Sequence, residues 1–228
     1  MIPIGDTTRL RKPSVMTPLI IWINVLVFLY IVLSGSTLAR YATRYGLVPA
    51  SAMKAFSLLP ELSPVLWTFI TSLFLHGGIF HLVGNMLFLK VFGDNIEDRM
   101  GKFFFLLFYL LGGIVASFAQ LISNPGSTVP MIGASGAISA VLGAYLYLYP
   151  GESVETLFFI FFFPITIHIP VIFFLLFWFG SQLFNAFSGV PGVGWLAHIG
   201  GFLFGVILAR LLLTRKTRPG AREVFYPK

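Results

Sequence analysis

The sequence predicts an all-α membrane protein, a bundle of six transmembrane helices with both termini on the cytoplasmic side. Of its 228 residues, 57% are hydrophobic and 10% are charged, whereas soluble domains carry about 25% charged residues. The apolar residues form continuous runs, unlike the alternating pattern of an outer-membrane barrel strand. Most basic residues lie at the ends of these runs. These observations exclude a soluble globular domain and favour a helical multipass protein.

Six apolar runs approach the length of about 20 residues that a helix needs to cross a bilayer. They are Thr17–Ser34, His76–Phe92, Lys102–Ser123, Ile132–Tyr149, Val171–Phe187 and Trp195–Leu213.

The stretch between the fourth and fifth runs is broken at Pro164 and at Pro170, which interrupt helices. Val154–Phe163 is too short to span a bilayer, and we interpret it as an interfacial segment.

The distribution of positive charge sets the orientation of the six helices. Three of the 15 Lys and Arg residues, namely Arg40, Arg44 and Lys54, fall in predicted outer loops, which leaves 12 at the inner face. A seventh span would place the basic tail outside. The predicted organisation is a cytoplasmic segment over 1–16, a six-helix domain over 17–214 and a basic cytoplasmic tail over 215–228. Topology therefore explains the net charge of +7 better than a nucleic-acid partner does.

A few strongly polar residues lie inside the predicted spans, where burial is costly and function is the default hypothesis. They are His81, Asn85, Ser135, Ser139, Gln182 and His198. The second, fourth and sixth spans run from outside to inside, and each has its polar residue near its outer end. At 1.5 Å per residue, His81, Ser135 and His198 fall at a common depth of about 5–10 Å.

Small residues on the fourth and sixth spans permit a close crossing of these two helices. They are Gly136, Ala140 and Gly143 on the fourth span and Ala197, Gly201 and Gly205 on the sixth. We expect this crossing to bring Ser135 within hydrogen-bond reach of His198. A serine hydroxyl becomes a nucleophile when a neighbouring base takes its proton, so the pair predicts an activated serine.

His81 and Asn85 share one face of the second span, because they are four residues apart, and both can donate hydrogen bonds. With the backbone N–H of Ser135 they would form an oxyanion hole. No acidic residue is placed to complete a triad, so the sequence offers a Ser–His dyad.

These residues make the sequence similar to the rhomboid family of intramembrane serine proteases. The matching elements are Gly133-Ala134-Ser135-Gly136, Ala197-His198-Ile199-Gly200-Gly201-x3-Gly205, His81-x3-Asn85 and Gly93-x3-Glu97-x3-Gly101. The resemblance implies that Ser135 is the nucleophile, that His198 is the general base and acid, and that His81 and Asn85 stabilise the oxyanion. It also implies six helices around a short fourth helix, a water-filled cavity open to the outside, and no metal or cofactor.

The sequence departs from the pattern of some relatives at two places. Ser139 stands where those relatives have a Tyr that stacks on the catalytic His, so another group must orient His198. We expect Ser139 itself to pack rather than to support the site. The first loop also lacks a Trp-Arg pair found in some relatives.

Other polar residues have structural interpretations. We expect His76 to be a polar cap at the interface, His168 to be a solvated loop residue and Gln182 to make an interhelical contact. Glu97 and Arg99 are expected to tie the cytoplasmic turn after the second span.

The aromatic residues near the span ends are interpreted as membrane anchors, Trp67 and Trp195 at the outer interface and Trp22 at the inner one. Phe174 and Trp178 on the fifth span fit lipid-facing positions better than the alternative, a side gate against the second span.

Other function classes have less support. An inactive rhomboid relative that binds membrane clients typically loses the Ser or the His, and both are present. A small transporter would need a charged relay. A zinc protease would show His-Glu-x-x-His, and an aspartyl protease would need a partner for Asp94 on another span.

The expected function is therefore intramembrane cleavage of single-span membrane proteins near the outer end of their transmembrane segment, through an acyl-enzyme. The partners are these substrates and the lipid bilayer, without nucleic acid or metal. By analogy, we expect a multipass protein of the bacterial inner membrane.

Overall fold

The computed structural model describes residues 1–57 and 62–213. Within them the chain forms nine α-helices, one 3₁₀ turn and three β-strands. The helices are α1 Met16–Leu33, α2 Leu38–Tyr45, α3 Pro49–Ser57, α4 Leu62–Thr71, α5 Ile79–Met100, α6 Lys102–Ser123, α7 Ser135–Leu148, α8 Val171–Phe187 and α9 Trp195–Leu212. The strands are β1 Ile2–Asp6, β2 Ser153–Ile160 and β3 Phe163–Pro170, and the 3₁₀ turn is Ser72–Phe74.

Six of the described helices, α1, α5, α6, α7, α8 and α9, match the six predicted runs in position, and two of them match in both bounds. α1, α6 and α9 are long and apolar enough to cross a membrane, while α7 and α8 are shorter apolar helices. The segment Pro64–Phe74 and α5 form a bent pair, with an angle of 82° between them. The predicted first loop contains α2, α3, α4 and the 3₁₀ turn. The predicted tail over 215–228 lies outside the described residues.

The short helix α7 lies at the centre of the bundle. Its 14 residues reach about 21 Å, and 11 of them are buried against the surrounding helices. The buried side chains are mostly Gly, Ala and Ser, so neighbouring backbones approach closely.

The predicted crossing of the fourth and sixth spans is present as the contact between α7 and α9. A Cβ on Gly205 would overlap the carbonyl oxygen of Ala140, and a Cβ on Gly143 would overlap that of Phe202. Glycine at these positions therefore sets the separation of the two helices, and with it the distance between their first turns.

The segment Val154–Phe163, interpreted from the sequence as interfacial, is part of a β-hairpin: it forms nearly all of strand β2, the turn after it and the first residue of β3. Its place at the membrane interface stays a prediction. β2 pairs antiparallel with β3 and, on its other edge, with β1 from the N-terminal segment. The fold is thus mostly helical rather than all-α. Pro164 and Pro170 are tolerated because β3 is an edge strand. His168, predicted in a loop, is an exposed residue of β3.

The C-terminal end of α5 holds the start of α1. The Glu97 carboxylate accepts hydrogen bonds from the backbone N–H groups of Val15, Met16 and Thr17 at 2.7–2.8 Å, and from the Thr17 hydroxyl at 2.9 Å. These donors have no acceptor within α1 itself. A Cβ on Gly93 would lie 3.1 Å from Thr17 Cγ2, so the same helix face needs a small residue there. Glu97 therefore has a structural role, as the sequence indicated, but its carboxylate holds the start of α1 rather than the turn after the second span.

Candidate active site between three helix N-termini

Ser135 and His198 lie side by side in the structure. Ser135 is the first residue of α7, and His198 is in the first turn of α9. The distance between Ser135 Oγ and His198 Nε2 is 2.8 Å, that of a hydrogen bond. The pair predicted from the sequence is therefore in contact.

Gln182 on α8 determines which nitrogen of His198 carries the proton. His198 Nδ1 lies 2.8 Å from Gln182 Oε1, and an amide oxygen only accepts, so Nδ1 donates. The amide nitrogen of Gln182 has its own acceptors, the carbonyl oxygen of Trp178 at 3.1 Å and Ser181 Oγ at 2.9 Å, which supports this orientation of the amide. His198 Nε2 is then unprotonated and accepts from the Ser135 hydroxyl.

Gln182 thus makes the interhelical contact expected of it, and the contact lies in the site. It is also the group that orients His198 in the absence of a Tyr at position 139. The sequence predicted that some group orients His198, but not that this group is Gln182. The position of a Gln on an apolar helix does not indicate which residue it contacts.

Two tryptophans flank the imidazole of His198. The ring centroid of Trp178 lies 6.1 Å away at an interplanar angle of 33°, and that of Trp195 lies 6.0 Å away at 88°. The lipid-facing interpretation of Phe174 is wrong. Phe174 is 2% exposed and packs on Phe92 of α5, while Trp178 is half-buried against α9.

His81 faces the loop that precedes Ser135. Its Nδ1 accepts a hydrogen bond from the backbone N–H of Gly77 at 3.2 Å, so its Nε2 carries the proton and is a donor. A Cβ on Gly133 would lie 2.8 Å from that Nε2 and 3.7 Å from Asn85 Nδ2. Gly133 also has φ of +125°, which favours glycine. The two predicted donors therefore converge beside the loop that precedes Ser135.

His76 is not at an interface, as the sequence suggested, but fully buried behind Asn85. Asn85 Nδ2 donates to His76 Nε2 at 3.0 Å, which uses one of its two N–H bonds and leaves the other for the site. The side chain of Asn85 is thereby fixed. His76 lies nine residues before Asn85, on the other side of the break before α5, so the sequence did not indicate this contact.

Further hydrogen bonds involve the loop before Ser135 and the N-terminal ends of α7 and α9, the helices that carry Ser135 and His198. The backbone N–H of Gly133 donates to the carbonyl oxygen of Ser72 at 2.9 Å, and Ser139 Oγ donates to the carbonyl oxygen of Ser135 at 2.6 Å. Gln120 Oε1 accepts from the backbone N–H groups of Leu196 and Ala197 at 3.2 and 3.3 Å. Gln120 therefore caps α9, the helix that carries His198. This residue was not among those predicted from the sequence.

His81, Ser135 and His198 all lie in the first turn of their helices, α5, α7 and α9. Each helix N-terminus carries partial positive charge, because its first N–H groups have no acceptor within the helix. Negative charge that develops on an atom beside Ser135 would be stabilised by all three.

The apolar helices and the Ser–His pair together define an integral membrane protein with the arrangement of an activated serine. Residues 63–215, more than half of the chain, match the model of the rhomboid domain. The chain belongs to the rhomboid family.

Curated relatives agree with this assignment. "Rhomboid protease GluP" of Bacillus subtilis is 36% identical over 137 residues, covering 60% of this chain and 25% of the relative. "RHOMBOID-like protein 12, mitochondrial" of Arabidopsis thaliana is 32% identical over 152 residues, covering 60% and 43%. "Presenilin-associated rhomboid-like protein A, mitochondrial" of Danio rerio is 31% identical over 147 residues, covering 60% and 35%. The chain spans less than half the length of each.

Proposed function

We propose that this protein is an intramembrane serine endopeptidase that cleaves transmembrane segments of single-span membrane proteins near their outer end. The observation that carries the proposal is the chain of contacts from Ser135 Oγ to His198 Nε2 and from His198 Nδ1 to Gln182 Oε1. An unprotonated imidazole nitrogen in contact with a serine hydroxyl is the starting state for general-base catalysis, and these contacts support the proposal.

The reaction begins with attack of Ser135 Oγ on the carbonyl carbon of the scissile peptide bond. His198 Nε2 takes the hydroxyl proton as the C–O bond forms. The imidazolium keeps its Nδ1–H bond to Gln182 and then gives the Nε2 proton to the leaving nitrogen as the C–N bond breaks. The products are an amine terminus and an ester on Ser135.

Hydrolysis of the ester uses the same groups in the second half-reaction. Water gives one proton to His198 Nε2 and attacks the ester carbonyl carbon. When the C–O bond to Ser135 breaks, His198 returns the proton to Ser135 Oγ. The second product is a carboxyl terminus, and both side chains regain their initial states.

The oxyanion formed in each half-reaction is stabilised by His81 Nε2–H, by the second N–H of Asn85 and by the backbone N–H of Ser135. The backbone N–H of the first helical residue has no acceptor within α7. In comparable sites each such donor contributes about 3–4 kcal/mol to the transition state.

The proposed topology has six spans, both termini in the cytoplasm, and the N-terminal ends of α5, α7 and α9 toward the outside. The positive-inside bias supports it, since 12 of 15 basic residues fall at the inner face. The pairing of β1 with the hairpin that follows α7 also supports it, because it puts the N-terminal segment at the end of the bundle opposite Ser135. Water would reach the ester from the outer side. For localisation, a bacterial inner membrane stays a prediction.

The proposal is tested by reconstituting the protein with a single-span substrate and measuring cleavage. We expect Ser135→Ala and His198→Ala to abolish cleavage. Matched controls are Ser57→Ala on α3 and His168→Ala on β3, two exposed residues whose substitution should leave the rate unchanged. Cleavage that persists in either site variant would overturn the dyad assignment.

A further inference from the structure

A cavity of about 580 Å³ lies away from the serine site, between the outer half of α1, the helix α2 and the 3₁₀ turn before α5. Its size is within the range of about 300–1,000 Å³ typical of ligand pockets. The proposed reaction does not use it.

The two walls of this cavity differ in chemistry. Ile23, Val27 and Ile31 line the α1 side at intervals of four residues, so they form an apolar stripe along one helix face. Arg40 and Arg44 line the α2 side, also four residues apart and therefore on one face. One side of the cavity suits a hydrocarbon chain and the other suits an anion.

Aromatic residues complete the polar end of the cavity. The rings of Tyr41 and Tyr45 stack with centroids 6.2 Å apart, and Tyr30 meets Tyr41 edge-on at 6.1 Å. The guanidinium carbon of Arg44 lies 5.4 Å from the centroid of Tyr45. Tyrosines with an apolar body and a polar tip are typical of the membrane interface.

The charge at this end is not neutralised within the structure. Arg40 and Arg44 are exposed, and within residues 1–57 and 62–213 neither guanidinium has a carboxylate partner. The loop over 35–75 contains three basic residues and one acidic residue, Glu61, which lies outside the described part. Two of the three basic residues in predicted outer loops thus line a single cavity.

The direction of α1 indicates how deep each wall of the cavity lies in the bilayer. In the proposed topology α1 runs outward, so Ile23 lies about 12 Å deeper than Ile31, and the arginines lie at the outer border. A molecule that fills the cavity has its anionic end at the interface and its apolar end in the hydrocarbon. A phospholipid of the outer leaflet has this polarity.

We propose that the cavity binds an anionic phospholipid, with its phosphate between Arg40 and Arg44 and an acyl chain along Ile23, Val27 and Ile31. Arg suits this role because its planar guanidinium donates two hydrogen bonds to a phosphate at once. The apolar stripe favours a lipid over a free phosphate or an acidic peptide.

Binding is measured by native mass spectrometry and by thermal shift in a nonionic detergent, in a Ser135→Ala background. The titrants are phosphatidylglycerol, phosphatidylcholine, diacylglycerol, glycerophosphoglycerol without acyl chains, and inorganic phosphate. We expect saturable binding of phosphatidylglycerol, with the other four at least about tenfold weaker. Since no step requires catalysis, the result is independent of the proposed peptidase activity.

Variants locate the bound lipid. Arg40→Gln and Arg44→Gln should each weaken phosphatidylglycerol binding about tenfold, and Arg44→Lys should weaken it less. The matched control is Lys54→Gln, which removes one exposed positive charge of the same loop outside the cavity. Equal weakening by Lys54→Gln would overturn the site in favour of general surface charge. Equal binding of glycerophosphoglycerol or phosphate would overturn the assignment of a lipid.

Discussion

The contact between Gln182 and His198 provides a sharp prediction about the proposed mechanism. Gln182 is 6% exposed, and its Oε1 is the acceptor for His198 Nδ1–H at 2.8 Å. Substitution by leucine removes this acceptor with little change in volume. The imidazole is then free to carry its proton on Nε2, and in that state it cannot take the proton of Ser135.

The size of the effect follows from the charge that develops on the imidazole. In the transition state Nδ1–H belongs to an imidazolium, and a hydrogen bond to a charged group contributes about 1.5–3 kcal/mol. We therefore expect Gln182→Leu to lower kcat by about 10- to 150-fold. KM should change little, because Gln182 Oε1 contacts His198 and not the proposed position of the substrate carbonyl beside His81 and Asn85.

The assay is cleavage of a reconstituted single-span substrate over a range of concentrations, with the melting temperature measured in parallel. Gln182→Glu keeps an acceptor oxygen and should restore much of kcat. Ser181→Ala is the matched control, because it removes a partner of the amide nitrogen and leaves the oxygen contact intact. A kcat for Gln182→Leu within about twofold of wild type would refute the role of this contact.

Three further predictions concern the loop before Ser135, the crossing of α7 and α9, and the start of α1. Gly133→Ala should abolish cleavage at a nearly unchanged melting temperature, because its Cβ would lie 2.8 Å from His81 Nε2, whereas Gly180→Ala, with open space around it, should have no effect. Gly205→Leu should lower both activity and melting temperature, since its side chain would push α9 away from the Ala140 carbonyl oxygen; an active, stable variant would contradict the proposed crossing. Glu97→Ala should lower stability by about 2 kcal/mol in denaturant unfolding, because it removes the cap of α1; unchanged unfolding would show that the cap contributes nothing.

The helices were predictable where composition and chain-breaking residues agree. Lys102–Ser123 and Val171–Phe187 have the same bounds in the sequence prediction and in the structure. The first follows Gly101, whose φ is +80°, and the second follows Pro170. Such residues mark helix starts directly in the sequence.

The hairpin of β2 and β3 was not predictable in the same way. Residues 157–163 form a continuous apolar run without the alternation that marks a half-buried strand. Its pairing with β1 joins residues about 150 positions apart, which no local pattern reports.

The site residues were predictable where the spacing of polar and small residues along a helix indicates which residues share a face. Small residues three or four positions apart on the fourth and sixth spans indicated the crossing that joins Ser135 to His198. The contacts of Gln182, His76 and Gln120 depend on how helices and loops from distant parts of the chain meet. A polar residue within an apolar run shows that a polar side chain is buried there. Which hydrogen-bond partner it has depends on the tertiary packing, which no local pattern reports.

The central claim is that Ser135 is an activated nucleophile within the membrane domain. The most direct test is to treat the folded protein with a fluorophosphonate and to locate the adduct by peptide mass spectrometry. The proposed site predicts a single adduct on Ser135, which is absent in His198→Ala and present in His168→Ala. An adduct on another serine, or equal labelling of Ser135 in His198→Ala, would contradict it.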